Sequence, residues 1–197
     1  MCRLLGLYGH IEFWEDLLFE FQKLAETGIV PPGSKPGHTD GWGITCSNSE
    51  KNAMIPLEKE LGSANKSSRY KEVIKSLERQ SHITLSHLRK ASPEIAISFS
   101  NTQPFYWQNW AFIHNGTVYN AELLPRDLSM VLTSDKSDSE YYFHYLLTKL
   151  KKGLSSKKDI EVILSALKSL TLSYSSLNCL FSNGKELFSV RWCNKLL

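Results

Sequence analysis

The sequence predicts a mixed α and β protein in which layered sheets are covered by helices. Two observations predict it. Stretches with apolar residues at helical spacing are interspersed with short apolar or alternating runs of strand type. Near the C-terminus, Leu177 to Phe181 and Glu186 to Trp192 flank Asn183-Gly184, a strong signal for a tight β-hairpin. No repeat, interdomain linker or low-complexity tract interrupts the 197 residues, so residues 1–197 are expected to form one domain with room for a sizeable core.

Cys2 to Tyr8 is short, apolar and closed by Gly9, and reads as a buried strand. From Ile11 to Glu26, Trp14, Leu17, Leu18, Phe21, Leu24 and Ala25 recur at helical spacing, and Thr27-Gly28 ends the helix. Pro31 to Gly37 holds too much Pro and Gly for regular structure. His38-Thr39-Asp40-Gly41-Trp42-Gly43 leads into a strand at Ile44–Cys46, and residues 53–58 suggest another. Ser67 or Ser68 caps a second helix whose Tyr70, Val73, Ile74 and Leu77 share a face. His82 to Leu88 favours a strand, and residues 90–104 are polar and irregular. Trp110–Ile113 is a buried-strand run expected to stop at His114-Asn115-Gly116-Thr117. Ser137 and Glu140 form a capping-box pattern at the start of a third helix, with Asp138 in its first turn. A fourth helix is expected over 159–171, with Ile160, Ile163, Leu164 and Leu167 on one face.

Composition narrows the function. The hydrophobic content of 42% and charged content of 22% are those of a soluble globular protein. The net charge of +3 is small and no block of like charge appears; Lys151-Lys152 and Lys157-Lys158 read as solvated loop, so nucleic-acid binding is not expected. Cys2, Cys46, Cys179 and Cys193 are far apart, without a Cys-x-x-Cys pair or a His partner at zinc spacing, so no metal site is expected. There is no signal-peptide pattern and no run of 18 apolar residues, so no membrane association is expected. A cytoplasmic location, which keeps thiols reduced, is the default.

The chain opens Met1-Cys2-Arg3-Leu4-Leu5-Gly6. Removal of Met1 places a thiol and a free α-amine on one residue. The amine's reference pKa is roughly 7.7–8.0 and the thiol's roughly 8.5. A partly neutral amine beside a thiol is a nucleophile with its own base. Read as turn, cap or salt bridge, the other candidates are ordinary: Asn115-Gly116 as a turn, Asp138 as helix capping, Arg89 as a surface ion pair.

Taken together and in this order, Cys2, Asp40-Gly41-Trp42-Gly43, His87-Leu88-Arg89-Lys90-Ala91, Asn101-Thr102-Gln103-Pro104-Phe105 and His114-Asn115-Gly116 resemble the class II glutamine amidotransferases, in their stand-alone subgroup. The resemblance runs from Cys2 to Trp192. It implies an α+β, four-layer αββα sandwich of the N-terminal-nucleophile hydrolase type. It implies that Cys2 attacks the glutamine side-chain amide to form a γ-glutamyl thioester, with Asn115 and Gly116 receiving the oxyanion. Arg89 and Asp138 would hold the α-carboxylate and α-ammonium. Gly41, Trp42 and Gly43 would pack near the nucleophile, Asn101 and Phe105 would shape the pocket, and His87 and His114 flank the matched residues as satisfied structural histidines. No cofactor is implied.

Two departures stand out. Ser92-Pro93-Glu94 follows the Arg motif where related enzymes often carry Thr and Gly, and the sequence stops soon after the hairpin. The second is expected to leave a sheet edge short, or completed by a protein partner that supplies an acceptor site. Two alternatives stay open: hydrolysis of a larger γ-glutamyl compound, and a regulatory subunit that retains the pocket without activity.

Overall fold

The computed structural model describes residues 2–9, 14–30, 32–33, 36–48, 50–77, 81–92, 95–150 and 156–193. Met1, the expected helix start at Ile11, part of the Pro31–Gly37 loop, Pro93-Glu94, Lys151-Lys152 and the chain after Cys193 lie outside the described residues.

Two four-stranded antiparallel sheets carry four helices. The strands are β1 (Arg3–Tyr8), β2 (Gly41–Asn48), β3 (Ala53–Glu60), β4 (Ile83–Arg89), β5 (Phe105–Trp107), β6 (Trp110–Val118), β7 (Tyr174–Ser182) and β8 (Leu187–Val190). The helices are α1 (Trp14–Thr27), α2 (Ser68–Lys75), α3 (Asp138–Leu150) and α4 (Ser156–Lys168). The first sheet runs β1-β4-β2-β3 and the second β5-β6-β7-β8.

Three apolar clusters bind these parts together. Leu18, Phe21 and Ala25 of α1 and Tyr70, Val73 and Ile74 of α2 pack on Trp42, Ile44 and Leu88 of the first sheet. Phe143, Leu146 and Leu147 of α3 and Ile163, Ala166 and Leu167 of α4 pack on Phe112, Leu177 and Phe181 of the second. Met54, Ile83 and Leu85 meet Ala111 and Ile113 between the sheets. Because side chains alternate across a strand, one set of β4 residues (Ile83, Leu85) faces the other sheet while Leu88 faces the helices.

The differences from the sequence expectations have local causes. β6 does not stop at Ile113: it continues through Asn115 and Gly116, paired with Asn178 and Leu177, and its register shifts only between Gly116 and Val118. Asn115-Gly116 is therefore strand next to a bulge, not a turn. β1 is half-buried rather than buried. β5, a three-residue strand paired with β6, was hidden by its brevity. Ser67 caps α2, its hydroxyl accepting the Tyr70 N–H at 3.1 Å. The capping box of α3 does not close: the Glu140 carboxylate accepts from the N–H groups of Thr133 and Ser134 and from the Thr133 hydroxyl, and Ser137 N–H goes to Ser134 Oγ. Glu140 thus pins the preceding loop instead of its own helix end. On α4, Ile160 and Leu164 are exposed, and the buried face is Ile163, Ala166 and Leu167. No helix among the described residues is long and apolar enough to cross a membrane.

Candidate active site

Three strand ends meet at one margin of the space between the sheets. On β1, Leu4 packs into that space, so the residue two positions earlier, Cys2, points the same way. On β4, Ile83 and Leu85 point there, and Arg89 continues the series. On β6, Ala111 and Ile113 are followed by Asn115. The β1–β4 register pairs Arg3 with Leu88, which sets Cys2 beside Arg89. The N-terminus of α3 brings Asp138 from outside the sheets. A cleft of about 90 Å³ opens where they converge, lined by Cys2, Arg89, Asn101, Asn115, Gly116 and Asp138 among others.

The contacts are specific. The Cys2 backbone nitrogen donates to Asn115 Oδ1 at 3.0 Å. That fixes the Asn115 amide with its oxygen toward Cys2, leaving Nδ2 as a donor. Cys2 Sγ accepts the Lys90 N–H at 3.5 Å. Burial pushes the thiol up, opposed by the Lys90 N–H and by the charge on Arg89. In this setting the thiol needs a base to take its proton.

Arg89 is buried. Its Nη2 donates to the Ala96 carbonyl at 2.8 Å, and Nη1 has no partner among the described residues. A buried guanidinium nitrogen without an acceptor is costly unless a ligand supplies one. Asp138 uses Oδ2 to accept the Val118 N–H at 2.9 Å, just past the bulge. Asn101 is fully engaged: Nδ2 donates to the Ala96 carbonyl at 3.2 Å, and Oδ1 accepts the Asp135 N–H at 3.0 Å. It shapes the cleft by holding the loops that wall it.

Other expected residues stand behind the cleft. Gly41 and Gly43 start β2, and a side chain on Gly43 would collide with the Gln103 carbonyl and the Pro104 ring, so glycine lets the 102–104 segment lie against the sheet. Trp42 is buried on the opposite face, with Nε1 donating to Glu60 Oε2 at 3.2 Å and its ring edge-on to Tyr70. Phe105 belongs to the cluster under α3. His87 is buried, does not line the cleft, and neither ring nitrogen has a partner among the described residues. The expected satisfied histidine is therefore a desolvated one, held neutral by burial first and then by the charge on Arg89, with its pKa lowered to about 3. His114 does match the expectation: Nδ1 lies 2.9 Å from Ser139 Oγ and Nε2 lies 3.2 Å from the Ser176 carbonyl.

Several participants escaped the sequence reading. Asp40 accepts the Ala91 N–H at 2.8 Å and donates its own N–H to the Arg89 carbonyl at 3.2 Å, tying the segment after β4 to the start of β2. It stood in the Asp-Gly-Trp-Gly motif, but nothing in the sequence says what an aspartate there holds. Gln103 and Ser139, both buried and both lining the cleft, were given no role in the sequence reading.

Residues 1–197 match the family model described as class-II glutamine amidotransferases. The chain is 32% identical over 198 residues to an uncharacterized protein of Methanocaldococcus jannaschii, covering 97% of this chain and 51% of that one. It is 27% identical over 192 residues to a Haemophilus influenzae protein provisionally named a glutamine amidotransferase, covering 94% and 61%. The chain thus spans between half and two thirds of the length of these relatives. Its fold resembles a 2.0 Å crystal structure of a predicted glutamine amidotransferase from Pseudomonas aeruginosa, with a TM-score of 0.60 at 20% identity, covering 96% of this chain and 72% of that one. The match over the whole chain establishes that it belongs to the class II glutamine amidotransferases.

Proposed function

We propose that this chain hydrolyses the side-chain amide of glutamine to glutamate and ammonia through a γ-glutamyl thioester on Cys2, on an αββα sandwich of the N-terminal-nucleophile type. The observation that carries the reading is the 3.0 Å hydrogen bond from the Cys2 nitrogen to Asn115 Oδ1, beside a buried arginine with an unused nitrogen.

Once Met1 is removed, that nitrogen is an α-amine. It takes the Sγ proton as sulfur attacks the amide carbon. Asn115 Nδ2 and the Gly116 N–H receive the oxyanion. The amine then protonates the departing ammonia and activates the water that cleaves the thioester. Arg89 Nη1 grips the α-carboxylate and Asp138 takes the α-ammonium. Because burial raises the thiol pKa, the amine is required rather than ornamental. The reaction takes place in the cytoplasm, and the ammonia passes to an acceptor supplied by a second protein.

The test uses protein whose N-terminus is Cys2, incubated with glutamine while ammonia and glutamate are measured. Cys2→Ala should abolish release while leaving the thermal transition within a few degrees. A diazo-ketone analogue of glutamine should label Cys2 and spare Cys46, Cys179 and Cys193. Comparable labelling of another cysteine, or release that survives Cys2→Ala, would overturn the reading. Slow turnover of glutamine by the isolated chain, accelerated by a copurifying protein, is the outcome expected for the partner.

A further inference from the structure

We propose that Gln103, His114 and Ser139 form a closed hydrogen-bonded ring that positions the Asn115-Gly116 oxyanion donors and couples them to the segment carrying Asp138. The inference rests on the reading of Asn115 and Gly116 given above.

The ring closes in one sense only. His114 Nε2 faces the Ser176 carbonyl at 3.2 Å, and a carbonyl only accepts, so Nε2 carries a proton. The imidazole is buried among Phe112, Tyr142 and the second sheet. Burial lowers its pKa, although Asp138 and the Ser176 carbonyl act in the other direction. A neutral ring with Nε2–H leaves Nδ1 as an acceptor, so the Ser139 hydroxyl donates to it at 2.9 Å. Ser139 Oγ in turn accepts from Gln103 Nε2 at 3.4 Å. Gln103 Oε1 accepts the backbone N–H of His114 at 2.6 Å, which completes the circuit. Each donor has one acceptor, so no member can rotate without breaking a second bond.

The ring reaches the oxyanion donors by two routes. It holds the backbone of His114, the residue before Asn115. Through Nε2 it also holds Ser176, whose hydroxyl donates to the Asn115 carbonyl at 2.8 Å. The Ser176 carbonyl lies where a Cβ on residue 116 would stand, so Gly116 is the residue that lets β7 approach this closely. On the other side, Ser139 follows Asp138 on the first turn of α3. Ammonium binding and oxyanion stabilisation are thereby built on one rigid unit. His114 is a positioning residue here: its two ring nitrogens are both committed, and neither is free to act as a base toward Cys2.

The experiment combines spectroscopy and kinetics on the Met1-free chain. Nitrogen-15 spectra of the wild type should show His114 neutral and protonated at Nε2 alone. Ser139→Ala should lower kcat on glutamine about tenfold, the size of one neutral hydrogen bond, and, because Asp138 sits on the same unit, should raise KM and weaken glutamate binding by a smaller factor. Ser139→Thr, which keeps the hydroxyl, should recover most of the loss. The amide resonance of Gly116 should move in Ser139→Ala and in Gln103→Met. A mixed-tautomer or charged His114 in the wild type, an unchanged kcat, or a loss confined to KM and glutamate affinity would overturn the proposal. If the wild type releases no ammonia from glutamine, the catalytic reading fails by itself. The His114 tautomer and the Gly116 resonance then still decide whether the ring holds the strand.

Discussion

The layer between the two sheets has an apolar end and a polar end built by the same strands. Along β4 the inward residues run Ile83, Leu85, His87, Arg89; along β6 they run Ala111, Ile113, Asn115; along β1, Leu4 is preceded by Cys2. At the apolar end Met54, Ile83, Leu85, Ala111 and Ile113 pack against one another across the two sheets. At the polar end Arg89 Nη1 and both His87 nitrogens have no partner among the described residues, and the Cys2 thiol is pushed up by burial. The difference shows where folding free energy is gained and where it is set aside. The apolar end closes the two sheets on each other, and the polar end holds buried groups without partners among the described residues. Substitutions at the two ends should therefore separate stability from turnover.

The largest effect on turnover short of removing the nucleophile is expected at Asn115. Asn115→Ala removes one oxyanion donor and the acceptor for the Cys2 nitrogen, and should lower kcat by ~10²–10³ with a small change in stability. Leu85→Ala is its counterpart at the apolar end. Leu85 is fully buried between the sheets, and the substitution should cost ~2–5 kcal/mol in urea unfolding while leaving kcat near wild type below the transition. Loss of activity without loss of stability there would break the comparison.

A smaller effect is expected at Arg89 and Asp138. Arg89→Ala and Asp138→Asn should each lower kcat/KM about ten- to a hundredfold, mostly through KM, because each removes one charge-assisted hydrogen bond of roughly 1.5–3 kcal/mol. Arg89→Lys should recover part of the loss. If both variants kept wild-type kinetics on glutamine, the assignment of the amino-acid head would be wrong.

The smallest effect is the pH response of His87. Its pKa is about 3 in the folded chain against a reference of ~6.5 in the unfolded one. The unfolded state binds the extra proton first, so stability is complete above about pH 6.5 and is lost as pH falls toward 3. Other buried histidines share this slope, so the informative quantity is a difference. His87→Leu should unfold at a more nearly constant urea concentration between pH 7 and pH 5 than the wild type does. Equal slopes would mean that His87 finds a partner in solution.

Much of this was legible in the sequence. Cys2, Arg89, Asn115, Gly116, Asn101 and Asp138 were each named from motifs, and the structure gathers them at one cleft. The illegible parts depend on contacts distant in sequence. That β6 runs on through Asn115-Gly116 depends on pairing with Asn178 and Leu177, some 60 residues away, whereas Asn-Gly by itself reads as a turn. Glu140 at the capping-box position follows a local rule, but two loop N–H groups compete for it and win. His87 and His114 look alike in sequence, both embedded in apolar strands. One is held at both nitrogens and the other at neither, and the difference lies in α3 and the neighbouring strand β7, both distant in sequence from His114. Gln103 and Ser139 lacked any signal because their partners are each other and a histidine across the sheet.

The central claim is that the Cys2 nitrogen and sulfur act together, and intact-mass spectrometry of the chain mixed rapidly with glutamine tests it most directly. Protein beginning at Cys2 should gain the mass of one γ-glutamyl group, mapped to Cys2 and lost on further incubation as glutamate appears. Protein that retains Met1 should gain nothing, since its Cys2 nitrogen is an amide. A γ-glutamyl adduct at another cysteine, or equal turnover with Met1 in place, would contradict the account.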